Sequence, residues 1–87
     1  MGALSNLPNI GKIVEEQLNT VGITTEEELK KIGSKGAWLK IKGIDDSACI
    51  NRLYGLQGAI EGIKKSGLSK ETKMDLKTFY EEHKKWS

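Results

Sequence analysis

The segment best suited to chemistry is Leu-Pro-Asn-Ile-Gly-Lys at residues 7–12, a turn that runs directly into an amphipathic helical pattern. The first backbone N–H groups of a helix have no partner within the helix and lie at the positive end of its dipole, so they suit a phosphate oxygen. Gly11 has no side chain to block a close approach, and Lys12 adds a mobile positive charge. The alternative, an ordinary turn with a well-placed lysine, stays open.

A second basic group follows further along the chain. Residues 29–42 contain five lysines and no acidic residue, whereas residues 1–28 contain one lysine and five glutamates. Lys35 lies in a Gly-Ser-Lys-Gly turn, similar in layout to the first turn, and two such turns facing one way would grip two phosphates across a groove. A lysine-rich helix surface is more often simply solvated, and for this segment alone that alternative is favoured. The candidate nucleic-acid-binding residues are therefore Asn9, Ile10, Gly11, Lys12, Lys35, Gly36 and Lys40.

The remaining reactive side chains show no spacing typical of a catalytic or metal-binding site. Cys49 and His83 are the only cysteine and the only histidine, too few for a metal-ligand cluster, and their spacing gives no support for a nucleophilic pair. The chain has no Gly-rich phosphate loop ending in Lys-Ser or Lys-Thr. We therefore expect no catalytic residues, no metal and no cofactor.

The elements that position these residues are helices. Apolar residues recur at helical spacing in five segments, and no period-two alternation of useful length is present, so the sequence predicts an all-α, compact five-helix domain. Thr25 and Glu28 form a capping box, and Gly22 and Gly33 are suited to ending the first two helices. The predicted helix starts lie at or near Pro8, Thr25, Ser34, Asp45 or Asp46, and Ser69.

The predicted fourth helix carries Gly55, Gly58, Ala59 and Gly62, and each interior glycine costs about 1 kcal/mol relative to alanine. Close packing of a neighbouring helix is the favoured explanation, and a bound small molecule is the alternative. Cys49 falls on the apolar face of the same helix, and we expect it to be a core residue.

Length and composition limit the remaining possibilities. The 87 residues suffice for one domain (1–87), and the hydrophobic fraction of 37% and charged fraction of 30% are typical of ordinary soluble proteins. A lone cysteine and the lack of a recognisable secretion signal or membrane-spanning run favour a cytoplasmic protein. The net charge of +2 predicts no partner by itself.

The first turn resembles a helix-hairpin-helix motif. The similarity lies in Leu7-Pro-Asn-Ile-Gly11, the amphipathic helix and then Val21-Gly22-Ile23. The resemblance implies a helix-hairpin-helix-like (SAM-like) arrangement whose backbone amides hold a DNA phosphate without reading sequence. The chain departs from the motif at Asn9, where glycine is usual, although asparagine tolerates positive φ better than most residues.

A wider resemblance covers residues from about Leu4 to Tyr80. The chain is similar to the C-terminal domain of the TfoX/Sxy family, proteins linked to natural competence and DNA transformation in bacteria. The resemblance implies a free-standing version of a domain that follows an N-terminal α/β domain in full-length members. Its motifs are Leu4-Ser-Asn-Leu-Pro-Asn-Ile-Gly11, Val21-Gly22-Ile23-Thr24, Glu28-Leu29, Gly33-Ser-Lys-Gly-Ala-Trp-Leu39, Cys49-Ile-Asn-Arg-Leu-Tyr54 and Gly58-Ala59-Ile60.

The sequence thus favours a non-enzymatic domain that binds duplex DNA, related to competence regulation and lacking membrane association. A protein-interaction module, such as a regulatory adaptor, is the main alternative, because +2 is a low net charge for a dedicated DNA binder. We expect a monomer or a weak homodimer.

Overall fold

The helices follow the apolar periodicity of the sequence closely. A computed structural model describes residues 4–83, and within this range all regular structure is helical. Two short 3-10 turns, at Leu4–Asn6 and Lys65–Gly67, flank the longer elements. The four α-helices are α1 (Lys12–Thr20), α2 (Glu26–Ile44), α3 (Ile50–Glu61) and α4 (Lys70–His83).

Helix α2 begins at the capping box that the sequence predicts. The Thr25 hydroxyl accepts a hydrogen bond from the Glu28 backbone N–H at 3.1 Å. The Glu28 carboxylate reaches back and accepts from the backbone N–H and the hydroxyl of Thr24, each at 2.8 Å. These bonds hold the pKa of Glu28 below its usual value, the Thr24 backbone bond contributing most.

The prediction of five helices is wrong, because the second and third predicted helices are one element. Gly33 is the single non-helical residue inside α2, with φ of 83° and ψ of 164°, and the helix resumes directly after it. Ser34, the predicted cap of a separate helix, instead donates a hydrogen bond from its hydroxyl to Gln57 Oε1 at 2.6 Å. The backbone of Gly33 therefore interrupts the helical conformation, and the two helical stretches of α2 meet at a kink there. The helix-hairpin-helix-like arrangement of the N-terminal half stays a prediction.

The core is centred on Trp38, which is fully buried on α2. Its ring meets the rings of Phe79 and Tyr80 on α4 edge-on, with centroid distances of 6.0 Å and 5.6 Å. Its indole N–H donates to the Cys49 carbonyl oxygen at 3.2 Å, so the polar atom is satisfied. Truncating a buried aromatic of this kind costs about 3–5 kcal/mol. Trp38 thus ties the start of α3 and the face of α4 to α2.

The start of α3 differs from its prediction in two ways. The helix begins at Ile50 with Cys49 as its N-cap residue, whereas Asp45 caps the C-terminal end of α2. Cys49 is exposed, so its predicted place in the core is wrong and Ala48 is buried there instead. The i, i+4 spacing of Cys49 and Leu53 extends the apolar pattern one step beyond the helix, where the cap turns the side chain outward.

The end of α3 lies earlier than predicted, whereas the start of α4 lies where the sequence predicts it. Gly62, predicted to lie inside the helix, ends α3 in the left-handed conformation, with φ of 77°. The Ser69 hydroxyl accepts a hydrogen bond from the Thr72 backbone N–H at 3.1 Å, which confirms Ser69 as the cap of α4. Trp86, part of the predicted last helix, lies outside the described residues.

Candidate functional site

The turn before α1 is held by its own backbone. The Leu7 N–H donates to the Leu4 carbonyl at 3.0 Å, and the Ile10 N–H donates to the Leu7 carbonyl at 3.3 Å. Asn9 adopts a φ of 69°, and it is the only non-glycine residue described at positive φ. Ile10 is buried beneath the turn. The turn therefore presents its backbone outward while Ile10 anchors it to the core.

The first amides of α1 are open. Gly11 is the N-cap residue, and among residues 4–83 no side chain caps this helix start. The first helical hydrogen bond runs from the Glu15 N–H to the Gly11 carbonyl at 2.9 Å, which leaves the N–H groups of residues 12–14 without an intrahelical acceptor. A Cβ atom built on Gly11 would meet nothing within 4 Å. Lys12 is exposed, and no described carboxylate pairs with it.

Nothing in the fold requires glycine at position 11. Its φ of −90° is accessible to every residue, and the space around it is empty. Glycine costs backbone entropy on folding relative to other residues. Glycine is also a common N-cap residue, so an ordinary helix start and a close approach by an external group both fit glycine here.

Asn9 uses its side chain inside the molecule. Its amide nitrogen donates to the Ile63 carbonyl at 3.0 Å and to the Gly55 carbonyl at 3.3 Å, and its amide oxygen accepts from the Lys65 N–H at 3.0 Å. Asn9 therefore offers a ligand its backbone only, and its side chain joins the turn to the chain that follows α3.

A groove of about 290 Å³ lies beside the α1 start, between α1 and α3. Its lining includes two cations, Arg52 and Lys65, and no carboxylate. Three other grooves of the described structure each contain carboxylates: Glu71 and Asp75, Glu81 and Glu82, or Glu28. The groove next to α1 is thus the one of these four that is lined by cations without a carboxylate, whereas the groove with Glu28 also contains Lys31 and Lys40.

Arg52 is already engaged within the protein. Its guanidinium donates to Gln17 Oε1 at 2.6 Å and lies 3.6 Å from Asp45 Oδ2, while Gln17 Nε2 donates to Asp45 at 2.7 Å. Hydrogen bonds from the Ser47 hydroxyl and from Gln17 lower the pKa of Asp45 to about 2. Arg52 therefore holds a carboxylate at the C-terminal end of α2 and is less available to a ligand than Lys65.

The second predicted group lies elsewhere. Lys35 Nζ pairs with Asp75 at 2.7 Å and lies 5.5 Å from the centre of the Phe79 ring, so it links α2 to α4. Gly36 is half-buried, and a Cβ there would be 2.7 Å from Ile32 Cγ1. Lys40 is exposed in a groove with Glu28. None of the three lines the groove beside Asn9.

Sequence reasoning missed Lys65. The pattern that indicates it is the Lys-Lys-Ser-Gly segment at residues 64–67, whose composition is typical of a turn and which begins two residues after the glycine that ends α3. Its proximity to the first turn depends on Asn9, 56 residues away, and no local pattern encodes such a contact.

The described residues lack two other features, a cluster of metal-ligating side chains and a helix that could span a membrane. Residues 4–83 contain no grouping of three or more His, Cys, Asp or Glu side chains that would hold a metal ion. Over the same range, no helix combines the length and the apolar character that crossing a bilayer requires.

Comparison with known proteins identifies the family of the chain. Residues 1–80 match the family described as the TfoX C-terminal domain. The chain belongs to the TfoX C-terminal domain family. Protein Sxy of Escherichia coli (strain K12) is 32% identical to the chain over 73 residues. That match covers 84% of this chain but 35% of Protein Sxy.

Two solved structures from Listeria monocytogenes share the fold of this TfoX C-terminal domain. An uncharacterized protein in a triclinic crystal form has a TM-score of 0.89 and 48% identity, with 91% of this chain and 90% of that chain covered. A protein of unknown function in a tetragonal form has a TM-score of 0.88 and 48% identity, with 91% and 96% covered. These likenesses support the fold and leave the ligand to be argued from the site.

Proposed function

We propose that this TfoX C-terminal domain is a non-enzymatic module that binds duplex DNA through its phosphates, within the competence-related regulation that the family suggests. The observation that carries the proposal is the open, uncapped start of α1 at Gly11 beside the unpaired Lys12. An anion at this position would satisfy amides that have no described acceptor and would meet the positive end of the helix dipole.

The chemistry of the site favours binding without sequence preference. Backbone amides and a lysine ammonium contact phosphate oxygens, which carry no base information. Of the planar side chains that line the groove beside the turn, Arg52 and Asn9 already make hydrogen bonds within the protein, and Asn51 is exposed. The affinity would therefore depend strongly on salt and weakly on sequence.

A salt titration with a short random-sequence duplex tests the proposal. Fluorescence anisotropy of the labelled duplex gives log K at each salt concentration, and each phosphate contact contributes about −0.9 to the slope against log salt. Lys12→Gln should weaken binding and reduce the slope by about that amount. Lys77→Gln, on α4 in a groove with Glu81 and Glu82, removes the same charge and should leave the slope unchanged. Failure of the wild-type chain to bind at low salt would refute the proposal.

A protein-interaction module is the second candidate, and one exposed apolar side chain favours it. Ile13, in the first turn of α1, is 69% exposed directly beside Lys12. An apolar residue at such a position suits a protein partner, or a second copy of this chain, better than a phosphate. Sedimentation of the wild-type chain and of Ile13→Asn separates the candidates. Self-association lost in the variant, with no duplex binding by the wild type, would support the protein module.

A further inference from the structure

The side chain of Asn9 is a clamp between two turns that are distant in sequence. Its three hydrogen bonds reach Gly55, Ile63 and Lys65, and the last two belong to the chain that leaves α3. Both polar atoms of the amide are used, so the side chain has one orientation that satisfies all partners. The two turns are therefore fixed relative to each other.

The small residues of α3 make room for this clamp. A Cβ on Gly58 would lie 2.5 Å from Asn9 Nδ2 and 2.7 Å from the Ile63 carbonyl oxygen, and a Cβ on Gly55 would lie 3.4 Å from Asn9 Cβ. The space next to these glycines is thus filled by the protein's own atoms. At Gly58 the turns fill this space in place of the neighbouring helix favoured by the sequence, whereas Gly55 also lines the groove of about 290 Å³.

The clamp brings a second lysine to the α1 start. The backbone nitrogen of Lys65 is held 3.0 Å from Asn9 Oδ1, and Asn9 is two residues before Gly11. Lys65 is exposed, lines the groove that lacks carboxylates, and has no described ion-pair partner. Its ammonium group is therefore available to an anion in the groove that also contains Asn9 and Val14.

We propose that Lys65 is a second phosphate-contacting residue of the DNA-binding surface and that Asn9 is the positioning residue that holds it beside the start of α1. The inference rests on the proposed function. The surface then consists of two turns, residues 7–12 and 62–67, and it contacts more of the DNA backbone than the first turn alone.

Lys65→Gln tests the contact, with Lys77→Gln as its matched control. Both variants lose one positive charge, but Lys77 lies on α4 in a different groove. Lys65→Gln should lower the salt slope by about 0.9, so that raising the salt from about 50 to about 200 mM weakens its binding about threefold less than that of the wild type. Lys77→Gln should keep the wild-type slope. Equal slopes in the two variants would overturn the inference.

Asn9→Gly tests the positioning role. Glycine accepts the φ of 69° at this position, so the variant keeps the turn while it loses the three hydrogen bonds. Lys65→Gln should then have a smaller effect on the slope in the Asn9→Gly background than in the wild type, because the lysine is no longer held in place. Fully additive effects would show that Asn9 does not position Lys65.

A stability control and the wild-type result complete the experiment. Ser34→Ala removes a buried hydrogen bond to Gln57, away from the groove, and should lower Tm without changing DNA affinity. Weakening by Ser34→Ala equal to that by Asn9→Gly would make the effect of Asn9 merely structural and overturn its positioning role. Wild-type binding with an unchanged Lys65→Gln slope defeats this inference alone, whereas no wild-type binding defeats the proposed function and this inference with it.

Discussion

Replacing Gly11 with serine would separate the stability of α1 from its capacity to bind phosphate. The φ of −90° and ψ of −176° at Gly11 are values that serine adopts freely, and a Cβ there meets no atom within 4 Å. A serine hydroxyl at the N-cap position accepts a hydrogen bond from the second or third N–H of the helix. The variant would thus cap the helix with the same donors that the proposed function assigns to phosphate.

The substitution should raise the stability of the fold slightly and lower the affinity for DNA by a larger amount. Serine is a better N-cap than glycine by about a few tenths of a kcal/mol. In a domain of this length such a gain raises Tm by about 1–3 °C. A hydrogen bond to a charged group contributes about 1.5–3 kcal/mol. Losing one such bond to a phosphate would weaken Kd by about 10- to 150-fold.

Thermal unfolding followed by circular dichroism and duplex binding followed by anisotropy measure the two effects separately. Gly43→Ser is the matched control, because Gly43 is an exposed position within α2 with no atom within 4 Å of a built Cβ. Serine there also improves helix propensity by about a few tenths of a kcal/mol. We expect both variants to be more stable than the wild type and only Gly11→Ser to lose affinity.

One result would refute the reasoning directly. If Gly11→Ser raises Tm and still binds the duplex with wild-type affinity, the free amides of α1 take no part in binding. Gly11 would then be an ordinary N-cap residue of α1 with no part in binding.

Two predictions concern the fold. The lowered pKa of Asp45, about 2 against an ordinary 3.8, means that its charged form stabilises the folded state. Chemical denaturation across pH should show Asp45→Asn less stable than the wild type above about pH 4, with the difference disappearing as the pH falls toward about 2; a constant difference would contradict the assignment. Gly58→Ala should destabilise the protein by about 1–3 kcal/mol in urea, because its Cβ meets Asn9 and the Ile63 carbonyl. Gly43→Ala, with open space around it, should instead be neutral or stabilising.

The sequence predicts most of the helical content because caps and periodicity are local. The Thr25–Glu28 box, Ser69 and Gly22 act within a few residues, and each is found where the pattern places it, Gly22 with a φ of 92°. Gly33 shows the limit of such rules. A glycine suited to ending a helix can also be accommodated as one non-helical residue, and packing decides which occurs.

Asp45 illustrates the same limit at a cap. An aspartate before a helical pattern favours an N-cap, but the carboxylate here accepts hydrogen bonds from Ser47 and from Gln17 of α1. The Gln17 bond spans 28 residues, so its presence depends on the tertiary fold. The N-cap residue of α3 is therefore Cys49 instead of the predicted Asp45 or Asp46.

In the candidate site, too, the local features could be predicted from the sequence and the tertiary contacts could not. Gly11 and Lys12 could be predicted, because an open helix start follows from a turn and a missing cap residue. The separation of Lys35 from that surface could not, since it depends on an ion pair with Asp75, 40 residues further on. The position of Lys65 next to the first turn depends on its hydrogen bond to Asn9, so no local sequence pattern could predict it either.

The exposed N-cap thiol of α3 has a practical consequence. Cys49 is the single cysteine of the chain, and it lines the same groove as Lys65. A maleimide fluorophore or a photoactivated crosslinker would therefore attach at one defined point, without engineering any residue. The unmutated protein can thus report whether that groove becomes occupied, and by which macromolecule, from its own built-in attachment point.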